Sequence, residues 1–356
     1  MKKIFICIPT LAGAGAERFV TELACFINKY EPIVVVTRYL DLGSSFYNKL
    51  KAKGVRVIDV SGKNYLVSAH KVIKLIRFEK PVIIHTNVGA ALHMLVPCFL
   101  SRTKAKHLFT THSMGYRIFS GLKKTIMGIC FKKGWVVPVA ICDTVKKSIL
   151  ETYALCDAQV ECVYNGVDTT IFTPDEHESE TKVFISVGRF EEVKNHKLLI
   201  DAFSVVNKKY SNTELLLVGD GILRDDVIDQ VQKLQLTNNV RLVGSQSDVS
   251  AFLNVADVYC CSSLVEGLPI SVLEAMSCGL PIITTPAGGV VDIVKNDVNG
   301  FVVEANADEM ARKMEALIVN NTLEKIMGEK SREFARIYDI RCCASQYEEL
   351  YDRYSK

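Results

Sequence analysis

"IFICIPTLAGAGAERFVTELACF" (residues 4–26) runs an apolar, β-branched segment into a glycine–alanine turn and out into a helix-spaced pattern. β-branched side chains favour the pleated strand, and apolar residues three and four apart make one face of a helix. The unit is strand, turn, helix, and it recurs. "PIVVVTR", "VRVIDV", "PVIIHTN", "HLFTTH" and "WVVPVAIC" are further strand candidates, separated by helical patterns such as "SAHKVIKLIRFEK". After an acidic, proline-led stretch, "PDEHESE" (174–180), the alternation restarts with "VFISVGR", "ELLLVGD", "VRLVG", "DVYCCSS", "PIITT" and "GFVV". Residues 307–355 read as largely helical. Strands apolar on both faces, alternating with helices, form parallel sheets covered on both sides. The predicted class is α/β, with two doubly wound Rossmann-like domains facing across a cleft. Their expected limits are 1–172 and 182–340, with a linker at 173–181 and a C-terminal helix at 341–356 that can pack back on the first domain. Ligands of such sheets bind beyond the carboxyl ends of the strands, so the site is expected in the cleft.

With 356 residues, 49% of them hydrophobic, the chain is too long for one ordinary core and suits two. Its twelve cysteines show no C-x-x-C and no zinc spacing, and Cys260 and Cys261 sit in an apolar run. They read as reduced, packed thiols of a cytoplasmic protein. Lys2 and Lys3, an apolar run and "AGAGA" imitate a secretory leader, but cleavage there would remove a strand and its loop. No apolar run reaches the ~20 residues of a membrane span. Charge is unevenly spread. Residues 1–170 hold 24 Lys and Arg against 11 Asp and Glu, a net of +13, and the remaining residues hold 19 against 29, a net of −10. A basic half points to anionic partners.

The opening loop admits several readings. A dinucleotide fingerprint needs three glycines and an acid at the end of the next strand. Gly13 and Gly15 fit, but Arg18 takes the third place and Arg38 ends the strand. Arg38 leaves an NADP-dependent oxidoreductase open, and a purely structural turn is open too. Whichever holds, Gly15 lets backbone approach a ligand, and the helix behind it presents N–H groups to negative charge.

The second half carries more chemistry. "VGRFEEVKNH" places Gly188, Arg189 and Lys194 just after a strand, two cations able to converge on one diphosphate or simply to face solvent. "SSLVEGLPISVLEAMSCGLPIITT" (262–285) puts Glu266 in a loop and Glu274 eight residues on, in a short helix closed by Gly279. A glutamate among Ile270, Val272, Leu273, Ala275 and Met276 needs a partner. Ribose hydroxyls or a structural ion pair would serve.

In order, "GAER", "TTH" (110–112), "VYNGVD" (163–168), "GRFEEVKN" and the E-x7-E segment resemble family 4 of the retaining glycosyltransferases, which have the GT-B fold. The resemblance covers nearly the whole chain and is strongest over 160–305. It implies that Gly15 lies beside donor phosphates and that Arg189 and Lys194, after Gly188, neutralise the diphosphate. Glu274 would hold the ribose and Glu266 the donor sugar. Leu268 and Ile270, after Gly267, would offer backbone N–H groups to phosphate. Val243 and Gly244 would lie near the base, and His112 would face the transferred sugar. The chain departs from the family pattern at Ala14, Cys142 and Asp292, which stand where a glycine, a serine and a glutamate are usual.

These residues give the expected function. It is metal-independent, retaining transfer of a hexose or N-acetylhexosamine from a nucleotide sugar, a UDP-sugar by preference, to a glycan acceptor in cell-envelope polysaccharide synthesis. No D-x-D is present to hold a divalent metal. No cofactor is expected beyond the donor. A nucleotide-sugar epimerase of the same shape and a non-catalytic nucleotide-sugar sensor are the rival readings. Residues 117–135 interleave Arg117, Lys123, Lys124, Lys132 and Lys133 with large apolar residues at helical spacing. This predicts attachment to an anionic membrane surface and a lipid-linked acceptor, with no nucleic acid partner, on the cytoplasmic face.

Overall fold

The structure, a computed structural model, describes residues 1–12, 15–175 and 180–355. Two compact units share the chain: residues 1–166 with 340–356, and residues 167–339.

The first unit begins with β1 (Lys2–Thr10), α1 (Gly15–Phe26), β2 (Tyr30–Tyr39), α2 (Ser45–Ala52) and β3 (Arg56–Asp59). It continues through α3 (Tyr65–Glu79), β4 (Ile83–Asn87), α4 (Ala90–Ser101) and β5 (Lys106–Thr111). Next come α5 (Gly115–Ile118), α6 (Gly121–Lys132), β6 (Val136–Ala140), α7 (Asp143–Tyr153) and β7 (Glu161–Cys162). The strands form one parallel sheet ordered β3-β2-β1-β4-β5-β6-β7. Ile4 to Ile8 of β1 are wholly buried, as expected of an apolar run in mid-sheet. The strand order reverses between β1 and β4, so the carboxyl ends of these two strands flank the crevice of this sheet.

The second unit runs β8 (Lys182–Val187), α8 (His196–Lys209), β9 (Thr213–Val218), α9 (Arg224–Lys233) and β10 (Val240–Gly244). It goes on through α10 (Ser250–Asn254), β11 (Val258–Cys261), α11 (Ile270–Ser277), β12 (Ile282–Thr284) and α12 (Val290–Ile293). β13 (Gly300–Val302), α13 (Ala307–Val319) and α14 (Asn321–Ala335) complete it. Its parallel sheet is ordered β10-β9-β8-β11-β12-β13, with the reversal between β8 and β11. Phe184, Phe203, Leu215 and Met310 lie in its core.

The final helix, α15 (Ile340–Tyr354), belongs to the first unit and lies on α1. Tyr347 and Tyr351 are fully buried there. The Tyr351 hydroxyl hydrogen-bonds His85 Nδ1 at 2.7 Å, His85 Nε2 meets Thr110 Oγ1 at 2.7 Å, and Thr110 meets the Tyr347 hydroxyl at 2.9 Å. Glu348 accepts from the backbone N–H groups of Asn28 and Lys29, just past the end of α1. The chain leaves this unit at Gly166 and returns at Ile340, and the two touch. A Cβ on Gly166 would lie 2.7 Å from Ile340 Cα, a separation only glycine permits.

Two expectations need correction. The boundary between units falls at 166/167 and 339/340, not at 172 and the acidic stretch 173–181. Residues 167–172 are tied into the second unit. Val167 N–H donates to Tyr338 O at 2.9 Å, and Arg332 donates to Thr169 O and Phe172 O at 3.0 and 2.8 Å. The acidic stretch therefore lies inside that unit, with its residues 176–179 outside the described residues. The basic segment 117–135 is also not one helix. It breaks between α5 and α6, and Phe119, Met127 and Phe131 turn into the core.

Candidate active site

The second sheet gathers the expected donor residues along one edge. Because its strands are parallel, the residues following β10, β9, β8 and β11 leave on the same side. Gly188 and Arg189 follow β8, and Ser262 to Glu266 follow β11, so they flank the reversal point where a doubly wound sheet opens a crevice. Lys194 ends a short turn before α8 and reaches back across the gap. Its Nζ lies 2.6 Å from Glu266 Oε1, and its stem passes over Gly188, where a Cβ would stand 3.3 Å from Lys194 Cε.

The pair is braced from below. Ser263 donates its hydroxyl proton to Glu266 Oε1 at 2.6 Å, Ser262 donates to Lys194 O at 2.9 Å, and Leu264 N–H donates to Val193 O at 2.8 Å. Burial pulls the Lys194 pKa down, but the Glu266 carboxylate and its hydrogen bond outweigh this and leave it raised. Lys194 is thus cationic at neutral pH. Arg189 is near enough to oppose that charge. Its side chain is 64% exposed and pairs with Glu191 at 2.8 Å. Both cations are therefore matched with carboxylates, and an arriving diphosphate would exchange with those partners.

α11 starts at Ile270 on the same edge, and the first N–H groups of a helix lack partners within it. Gly267 O accepts from Gly289 N–H at 2.8 Å, and Leu268 is buried, so the loop before the helix is fixed at both points. Glu274 is 2% exposed, within α11. Val243 and Gly244 close β10, and Gly244 O accepts from Gly219 N–H at 2.9 Å. That contact shows what the sequence reading missed. Gly219, at φ +152°, sits where a Cβ would fall 1.9 Å from Gly188 O. The loops after β8, β9 and β10 are thereby pressed together. Ser262 and Ser263 were missed too, although a serine three residues before Glu266 in a loop was a usable signal.

Two expected residues belong to the first unit. Gly15 opens α1 beside open space, so packing there does not demand glycine. Gly13 and Ala14 lie outside the described residues. His112 follows β5. Its Nε2 lies 2.9 Å from Asn87 Oδ1, and Phe19 packs edge-on against it with ring centroids 5.0 Å apart. Burial lowers its pKa to about 4, so it is neutral at pH 7. A cavity of about 570 Å³ between α8 and α9, lined by His196, Asp201, Asp226 and Gln230 among others, includes none of the expected site residues.

The sequence profile described as Glycosyl transferases group 1 matches residues 167–334, and that described as Glycosyltransferase Family 4 matches residues 13–171. The chain belongs to family 4 of the glycosyltransferases. An uncharacterized glycosyltransferase of Haemophilus influenzae is 34% identical over 163 residues, which are 45% of this chain and 46% of that one. The UDP-Gal:alpha-D-GlcNAc-diphosphoundecaprenol alpha-1,3-galactosyltransferase of Escherichia coli is 28% identical over 264 residues, 65% of each chain. In both relatives the match covers less than two thirds of their length. Among solved structures, Anabaena Alr3699/HepE in complex with UDP and glucose superposes with a TM-score of 0.86 at 18% identity, over 99% of this chain and 100% of that one. This family 4 chain thus has the fold of the GT-B glycosyltransferases.

Proposed function

We propose that the chain transfers a hexose or N-acetylhexosamine from a UDP-sugar to a lipid-linked glycan, with retention and without a metal, in polysaccharide synthesis. The observation that carries this is Lys194, half-buried yet cationic, held against Glu266 at the reversal point of the second sheet. Transfer breaks the bond between sugar C1 and the β-phosphate oxygen and forms one from C1 to an acceptor oxygen. The acceptor's proton passes to the departing phosphate. Charge accumulates on that phosphate. Lys194, Arg189 and the start of α11 are placed before reaction to meet it, so little reorganisation is needed. Glu266, released from Lys194, is free to accept from sugar hydroxyls. A preference for UDP and for a diphospholipid acceptor is supported by the name of the E. coli relative. The matched families favour neither an epimerase nor an oxidoreductase.

The test is to incubate the purified chain with a panel of radiolabelled UDP-sugars and an N-acetylglucosaminyl-diphospholipid, with and without EDTA. Labelled lipid product that survives EDTA is the expected result. Product restored only by magnesium would overturn metal independence, and an epimerised UDP-sugar formed without acceptor would overturn transfer.

The basic half supports attachment to an anionic bilayer. On α6, Leu122, Ile126 and Ile129 stand one turn apart and are 75%, 39% and 49% exposed, with Trp135 65% exposed beyond the helix. Lys123, Lys132 and Lys133 flank them and are exposed. Among the described residues no helix is long and apolar enough to cross a membrane. Each cation near an anionic surface contributes roughly 1 kcal/mol, so four give reversible binding. Cosedimentation with phosphatidylglycerol vesicles should weaken with salt. It should be lost when Lys123, Lys124, Lys132 and Lys133 are changed to glutamate. Equal partitioning onto phosphatidylcholine vesicles would sink the idea.

A further inference from the structure

Asn87 is the last residue of β4, wholly buried, at the point where the strand order of the first sheet reverses. Its amide spans three strands. Nδ2 donates to Cys7 O on β1 at 3.4 Å, and Oδ1 faces His112 Nε2, beyond β5, at 2.9 Å. The opposite amide orientation would set two acceptors, Oδ1 and Cys7 O, against each other. The orientation is therefore decided by the network. An amide oxygen only accepts, so His112 Nε2 must carry the hydrogen. A neutral imidazole has one N–H, which leaves Nδ1 with a lone pair and no proton. Burial keeps the ring in that neutral form.

The backbone beside Asn87 is unusual as well. Val88 has φ +52° and is 45% exposed, a left-handed conformation that a β-branched residue adopts only under constraint and that its side chain gains no burial from. It turns the chain sharply out of β4 directly after Asn87, so the amide stays in the sheet while the chain leaves for α4.

We propose that Asn87 is a positioning residue that locks His112 as the Nε2–H tautomer, so that His112 meets its substrate through Nδ1 as a hydrogen-bond acceptor. The group it selects is a donor, a sugar hydroxyl or amide N–H. A carboxylate at that position is disfavoured, because two lone pairs would face each other. The proposal rests on the transferase reading for the identity of the substrate, but not for the tautomer.

Two measurements separate these. In ¹⁵N-histidine NMR of the full chain, with the His112 signal assigned by its loss in His112→Gln, Nε2 should show the protonated shift and Nδ1 the unprotonated shift at pH 7. Asn87→Leu should mix the tautomers, and Asn87→Asp, an acceptor of the same size, should keep Nε2 protonated. A hydrogen on Nδ1, with Nε2 bare in the wild type, overturns the proposal whatever the protein transfers. So does an Asn87→Leu spectrum identical to the wild type. In the transfer assay with a UDP-hexose, Asn87→Leu should lower turnover about tenfold, the worth of one hydrogen bond, with the affinity for UDP unchanged. If turnover and UDP affinity fall together, the residue is structural only and the positioning role is wrong.

Discussion

Lys194→Ala is expected to lower kcat/KM for sugar transfer by about 10²–10³-fold, the loss that follows removal of one preorganised group facing a developing oxyanion. The expectation comes from the way Lys194 is held. Partial burial alone would lower its pKa, but the carboxylate 2.6 Å away more than offsets this and leaves it raised. Glu266 is in turn held by Ser263, so neither partner needs to search for the other. Alanine removes the charge and leaves Glu266 with Ser263. Arg189→Ala should cost less, because its side chain is 64% exposed and its interactions are screened by water. Steady-state rates across a range of UDP-sugar concentrations, with UDP affinity measured by titration, decide the matter. A change below threefold for Lys194→Ala would remove it from the chemistry.

The two sheets were legible because their strands are buried on both faces and read as continuous apolar runs between helical patterns. Ile4 to Ile8 and Leu215 to Val218 are of this kind. Glu266 and Lys194 were legible as charged residues at the ends of such runs. The braces around them were not. Ser263 is an ordinary loop serine until its hydroxyl is seen on Glu266, and Gly219 gains its meaning from Gly188, thirty-one positions away in sequence. The unit boundary was misread for a related reason. The acidic segment 174–180 has a linker's composition, whereas the crossing at Gly166 and Ile340 is marked by a close backbone approach that no composition shift announces. The basic segment misled in the same way. Its helical spacing is real, but three of its large apolar residues, Phe119, Met127 and Phe131, face the core. Periodicity tells how residues share a face, not which face is already covered.

Deleting residues 340–356 is expected to destroy the first unit rather than to trim its end. α15 is last in sequence but central in packing. Ile340, Tyr347, Leu350 and Tyr351 are all wholly buried. At about 2 kcal/mol for each such side chain, their burial contributes roughly 8 kcal/mol, a sum comparable to the whole stability of a typical domain, about 5–15 kcal/mol. The polar loss adds to it. Without Tyr351 and Tyr347, His85 Nδ1 loses its partner and Thr110 loses one of its own, and without Glu348 the N–H groups of Asn28 and Lys29 lose their acceptor. The helix also explains why a chain built from two sheets is discontinuous in one of them. The strand order of the first unit is complete by Cys162, yet the face of β4 and β5 that carries His85 and Thr110 is closed only when the chain returns at Ile340. The truncated chain should be recovered mostly in the insoluble fraction, and any soluble part should show fast amide exchange across β4 and β5. Tyr351→Phe is the graded control. It keeps the ring and removes only the hydroxyl facing His85, which should cost about 1–3 kcal/mol, the price of a buried polar atom left unpaired. A truncated chain that melted within a few degrees of the full one would show that the first sheet is self-sufficient and that α15 is only an accessory.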